Sequence, residues 1–157
     1  MPYIKANYLD TGSCCEAFVK GIELLEQSSI KASSACFKAA FESVAETHPL
    51  FSRYKSYYGF SLILSGEEAA IDLCRSAVKC QPSDGDVCMN LARAEFFLAN
   101  RVNALSAVDS GLSFSAEHPG LQKLKVKIGV RRKKPLPFLS RDNPVSVALG
   151  KKMRKHA

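Results

Sequence analysis

Three stretches of the chain, SSACFKAAFE, AAIDLCRSAVKCQP and ALSAVDSGLSFSA, keep small and apolar residues in one register. Ser33, Phe37 and Ala40 are followed 37 residues later by Ala70, Cys74 and Ala77, and 34 residues after those by Ala104, Val108 and Gly111. A period of this size marks a solenoid, because each unit can bury its apolar face only against its neighbours. Helical periodicity fills the interval from about Cys14 to Ser113, and proline falls only between candidate helices. Ahead of each stretch lies a second helical segment with a small residue, Gly21, Gly59 or Ala92, where two helices have to touch closely. The unit is therefore an antiparallel helix pair. Gln27-Ser28-Ser29, Ser65-Gly66 and Asn100-Arg101 break the pairs internally, and His48-Pro49 and Gln81-Pro82 separate one pair from the next. Proline suits the first turn of a helix or a stop after the previous one.

Helix pairs with small residues at these offsets resemble the tetratricopeptide repeat (TPR) family, over roughly residues 14 to 116 and three repeats. Repeat two matches through Gly59, Leu62, Ala70, Ala77 and Pro82, with an inter-helix turn one residue short. Repeat one has a second helix extended by three residues before His48-Pro49, repeat three has Ala116 where proline is usual, and none carries the family's frequent tryptophan. The resemblance implies an all-α, right-handed superhelix of three hairpins closed by a capping helix. GLQKLKVKIGVRR suits the cap, with Leu121, Leu124 and Ile128 on one face and Lys123, Lys125 and Lys127 mostly outward. The expected division is a lead-in over 1–13, the superhelix with its cap over 14–131, and a basic extension with a short helix over 132–157.

In TPR proteins the first helix of each pair lines the inner face, where partners lie as extended peptides or helices. The resemblance thus puts Phe18, Ile22 and Leu25 on that wall from unit one, Arg53, Ser56 and Phe60 from unit two, and Met89, Arg93 and Phe96 from unit three. Packing between helices is the competing role for each. Aromatic, methionine and arginine side chains together are what protein-binding surfaces favour. Some TPR domains grip a heat-shock chaperone's carboxylate tail with a lysine and asparagine clamp; Phe18, Ile22 and Met89 hold the corresponding places here, so that ligand is not expected.

A length of 157 residues, with 46% hydrophobic and 24% charged side chains, fits one soluble globular domain. The opening MPYIKANYLDTGSCC has no signal-like apolar run, and nowhere are there 18 consecutive apolar residues. The six cysteines form no C-x-x-C pair and have no histidine at metal-ligand spacing, so they read as reduced packing thiols in a cytoplasmic protein with no metal or cofactor.

The net charge of +7 is divided unevenly. Residues 1 to 122 carry 10 basic and 14 acidic side chains, whereas residues 123 to 157 carry 12 basic ones against Asp142 alone. Such a split indicates an electrostatic contact surface appended to an ordinary domain. Arg131, Arg132, Lys133 and Lys134 precede Pro135 and Pro137, which bias KKPLPF toward extended backbone. Asp142 or Asn143 can then cap a helix opening at Pro144, with Val145, Ala148, Leu149 and Met153 on one side and Lys151, Lys152, Arg154 and Lys155 around the others. Three readings stand open: docking back on the repeats through Phe138, Leu139 and the apolar stripe, contact with RNA, DNA or a ribonucleoprotein, or contact with an anionic membrane surface.

No phosphate-binding, metalloprotease or nucleophile-elbow motif is present. His48 and His118 each precede a proline at equivalent joints, where turn or cap roles are expected, and His156 lies in the tail. The expected function is a non-catalytic TPR adaptor that binds a partner protein or peptide in its groove, with the basic tail as second contact. The alternatives are a nucleic-acid or ribonucleoprotein-associated factor working through that tail, and a TPR chaperone of the type III secretion kind.

Overall fold

Residues 14–129 are described by a computed structural model of the chain, and every regular element among them is helical. The helices are α1 (Glu16–Glu26), α2 (Ile30–Glu42), α3 (Phe51–Leu64), α4 (Ile71–Cys80), α5 (Gly85–Phe97), α6 (Arg101–Phe114) and α7 (Pro119–Gly129). A single 3-10 turn, Glu68–Ala70, leads into α4. The expected lead-in, residues 1–13, and the basic extension, with its helix after Pro144, lie outside the described residues.

Each first helix ends in the same way. Ser28, Gly66 and Ala99 all have positive φ, and the residue after each donates a backbone hydrogen bond five residues back: Ser29 to Leu24, Glu67 to Leu62 and Asn100 to Glu95, at 2.9, 3.0 and 2.8 Å. This left-handed turn occupies carbonyls that the helix end leaves unpaired, and it reverses the chain for the returning helix. Only the middle unit has glycine at the left-handed position. A side chain there costs roughly 1–2 kcal/mol, part of which glycine returns through the freer unfolded chain. Ala99→Gly is therefore expected to raise unfolding free energy by about 0.5–1 kcal/mol, visible as a later urea midpoint.

The pairs α1–α2, α3–α4 and α5–α6 are antiparallel hairpins, and α3 lies beside α5, which lies beside α7. Close approach within each hairpin follows from the small residues. A Cβ added to Gly21 would sit 2.7 Å from the Phe37 ring, and one on Gly59 would sit 2.9 Å from Leu73 Cβ and 3.0 Å from Cys74 Sγ. A Cβ on Gly111 would meet Cys88 Cβ and the Leu121 side chain, both at 2.7 Å. Phe37, Cys74 and Val108, the repeated positions of the returning helices, are all fully buried. Burial pushes the Cys74 thiol up to about 12 and the Cys88 thiol up to about 11, so both stay protonated at neutral pH. All six cysteines are free.

Two continuous clusters form the interior. Phe18, Phe37, Tyr54, Tyr57, Phe60 and Ile63 dominate the one spanning units one and two, while Met89, Val108, Leu121 and Ile128 anchor the one joining unit three to α7. Leu121 and Ile128 seat α7, Lys125 reaches Asp109 on α6 at 3.0 Å, and Arg101 donates to the Gly129 carbonyl at 3.1 Å. Units two and three are also joined by charge. Glu95 on α5 is buried, accepts from Arg75 on α4 at 3.0 and 2.8 Å, and takes a third bond from Asn100 at 2.9 Å. Arg75→Ala leaves that carboxylate under-paired in the interior and should cost about 2 kcal/mol, below the full buried-pair value because the arginine faces solvent on one side. Adding Glu95→Gln to the same chain should recover part of the loss in a urea titration.

Candidate partner-binding face

The first helices α1, α3 and α5 share a register counted from Gly21, Gly59 and Ala92, and that register sorts the expected wall residues by role. Three residues before the small residue stand Phe18, Ser56 and Met89, and all three are buried. Phe18 is 0% exposed, with its ring centroid 4.7 Å from that of Tyr54 and 5.0 Å from that of Tyr57 on α3. Ser56 Oγ accepts from Asn90 Nδ2 on α5 at 3.1 Å and donates to the Arg53 carbonyl at 2.8 Å. Met89 places its sulfur against Gly120 at the start of α7. Phe18, Ser56 and Met89, expected on the groove wall, are therefore placed between successive first helices. The physical reason is the side-by-side packing of those helices, which turns this position toward the next unit rather than toward the open face.

One residue after the small residue stand Ile22, Phe60 and Arg93. Ile22 and Phe60 are nearly covered, and the cover over Phe60 is the Arg93 guanidinium, 4.5 Å from the ring centroid. Four residues after come Leu25, Ile63 and Phe96, of which Phe96 is 37% exposed. Of the positions in these last two sets, Arg93 and Phe96, both on unit three, are the ones that keep exposure.

Arg53 is engaged inside the protein. Its Nε donates to Asp84 Oδ2 at 3.0 Å, and a terminal nitrogen lies 2.9 Å from the same oxygen and 3.8 Å from Asp86 Oδ2. Burial alone would lower the guanidinium's pKa, but the Asp84 carboxylate, with Asp86 behind it, raises it above its ordinary value. Asp84 serves a second purpose, because its Oδ1 accepts from the backbone nitrogens of Asp86 and Val87 at 2.9 and 3.3 Å and so caps α5. An arginine expected to orient a partner's acidic group is instead tied to two carboxylates of its own chain.

His118 completes this cluster. Its Nδ1 accepts from Leu121 N–H at 3.2 Å, capping the first turn of α7, so the hydrogen belongs on Nε2, which donates to Asp86 Oδ1 at 3.3 Å. His48 accepts from Leu50 N–H through Nδ1 at 3.1 Å in the turn that leads into α3. Arg53, Asp84, Asp86, Ser115 and His118 border a polar recess of about 260 Å³. No three metal-ligating side chains converge among the described residues. Asp86 and Asn90 escape a reading of the sequence because their partners lie one unit away. Asp84 is visible as a helix start in Pro-Ser-Asp-Gly-Asp, although its pairing with Arg53 is not.

No protein-family model and no curated protein sequence matches the chain. Among solved structures it is similar to the crystal structure of the Sgt2 TPR domain from Aspergillus fumigatus, at 17% identity and a TM-score of 0.55, over 81% of this chain and 90% of that one. The chain has the TPR fold. Among the described residues no helix is long and apolar enough to cross a membrane.

Proposed function

We propose that the chain is a non-catalytic, cytoplasmic TPR adaptor that binds a partner protein or peptide along the face of α1, α3 and α5, with its basic C-terminal extension as a second contact. One observation carries this reading: the Arg93 guanidinium packs on the buried Phe60 ring one turn from Phe96, which is 37% exposed, so that cationic and aromatic groups adjoin on α5. Such side chains anchor protein interfaces because they combine apolar area with directed polar groups. Ile22 holds the matching, nearly covered position on α1, and Phe18, Ser56, Met89 and Arg53 hold the face's shape. Residues 1–13 serve as lead-in, 14–131 as the binding module and 132–157 as the tail.

The test is capture from the native cell with a photo-crosslinking residue at position 96 and, separately, at the buried position 18. Crosslinks from 96 and none from 18 support the patch. Equal labelling from both, or none from 96, counts against it.

The charge division favours one further reading, a nucleic-acid or ribonucleoprotein-associated factor acting through Arg131, Arg132, Lys133, Lys134, Lys151, Lys152, Arg154 and Lys155. Binding to RNA, DNA and anionic vesicles across a salt series separates it from the adaptor. Phosphate contacts give affinity that falls steeply with salt, and charge-neutral substitutions in the tail should flatten that slope.

A further inference from the structure

Three arginines lie at the junctions between units, and two of them have their anions. Arg53 has Asp84 and Asp86; Arg75 has Glu95 and Asp72, at 2.8 and 3.4 Å. Arg93 has neither an ion pair nor a hydrogen bond to any described residue. Burial lowers its pKa, and only Tyr57 and Asp86, beyond ion-pair distance, act in the opposite direction. Asp86 is already engaged, through Oδ2 with Arg53 and through Oδ1 with His118. A guanidinium taken partly out of water with its donors unused is costly to the protein, and a carboxylate that fills those donors offsets the cost. One turn back on α5, the fully buried Asn90 leaves its Oδ1 without a partner, although its Nδ2 is bonded to Ser56. The α3–α5 junction therefore holds unfilled donors and an unfilled acceptor on neighbouring turns.

We propose that Arg93 is the specificity residue for an acidic side chain, aspartate or glutamate, of an extended partner peptide. This deepens, and rests on, the adaptor reading. The guanidinium carbon sits 4.5 Å from the Phe60 ring centroid, so the ring packs against the group while its N–H donors stay free for two N–H···O bonds to a carboxylate. Phe96, one turn further along α5, offers apolar surface to a neighbouring residue of the same peptide. An internal side chain fits better than a chain-terminal carboxylate. The remaining first-helix positions in line with Arg93 are Ile22 and Phe60, which provide no second cation to hold a free terminus.

The test is selection of random peptides, displayed within a loop so that neither terminus is free, against the full chain. The winning pool should be enriched in aspartate or glutamate at one position. Changing that residue to its amide in a synthetic peptide with blocked ends should weaken binding at least about tenfold. Arg93→Gln should cause a similar loss with the acidic peptide and little further loss with the amide, while Arg93→Lys should recover only part of it. The peptide arm does not depend on whether the variants fold. Peptides selected with no acidic preference, or an acidic preference that survives Arg93→Gln, overturn the Arg93 assignment and leave the adaptor reading standing. Failure to select any peptide overturns both. If Asp142→Asn in the tail improves peptide binding as much as removal of the peptide's own acid weakens it, the carboxylate on Arg93 comes from this chain, and the partner assignment falls.

Discussion

Phe18→Ala is expected to lower unfolding free energy by about 3–5 kcal/mol, a large part of the stability of a domain this size. The ring is wholly enclosed, and its neighbours come from two units: Phe37 at 5.7 Å in its own hairpin, and Tyr54 and Tyr57 at 4.7 and 5.0 Å in the next. Tyr57 packs edge-on to Phe18 and also lies 5.3 Å from Phe37, so removing one ring leaves a hole that two others cannot close together. Tyr54 is the hinge of the site, because its hydroxyl accepts from the Cys15 backbone nitrogen at 3.0 Å and pins the start of α1 to α3. The loss should appear in a urea or thermal melt of the protein alone, with Phe18→Leu costing much less. Were Phe18 a wall residue of the groove, alanine would leave the melt nearly unchanged and weaken partner binding instead. The two outcomes separate core from contact at the position where sequence and structure disagree most.

The reason for that disagreement is specific. Small residues that recur from unit to unit mark where a helix presses on its own hairpin partner, and the structure has Gly21, Gly59 and Gly111 in such contacts. Breaks between helices were legible too, since Ser28, Gly66 and Ala99 fall in or beside the segments that lack periodicity. Helical periodicity names a face without saying whether that face meets solvent or the next unit. Phe18, Ser56 and Met89 fall on the ambiguous side of that line, and the packing between successive first helices decides them. Arg53 was ambiguous for a different reason. Its carboxylate partners are 31 and 33 residues away, and no local pattern distinguishes an arginine bound to a capping aspartate from one left free for a ligand. The contrast between Arg53 and Arg93 exists only once α3 and α5 lie side by side.

Gly59→Val should cost about 3 kcal/mol or somewhat more, at the upper end for overpacking, because the atoms it would strike cannot swing away. A Cβ at this position meets Leu73 Cβ at 2.9 Å, Cys74 Sγ at 3.0 Å and the Ala70 carbonyl oxygen at 3.2 Å. Two of these belong to, or lie next to, the backbone of the returning helix, so relief requires α3 and α4 to move apart. Alanine would gain up to about 1 kcal/mol of helix propensity over glycine, yet overpacking costs typically about 1–3 kcal/mol, so Gly59→Ala should still be a net loss. The internal control is Gly129→Ala at the end of α7, where a Cβ would meet nothing within 4 Å and the melt should stay put or rise slightly. The displacement has a consequence beyond stability, because α3 carries Phe60, the platform under Arg93. Gly59→Ala chains that remain folded by circular dichroism should therefore bind an acidic peptide less well than the wild type, and Gly129→Ala chains should bind it equally. Equal binding by both would mean that the setting of the Arg93 guanidinium on Phe60 does not depend on how closely α3 and α4 interlock.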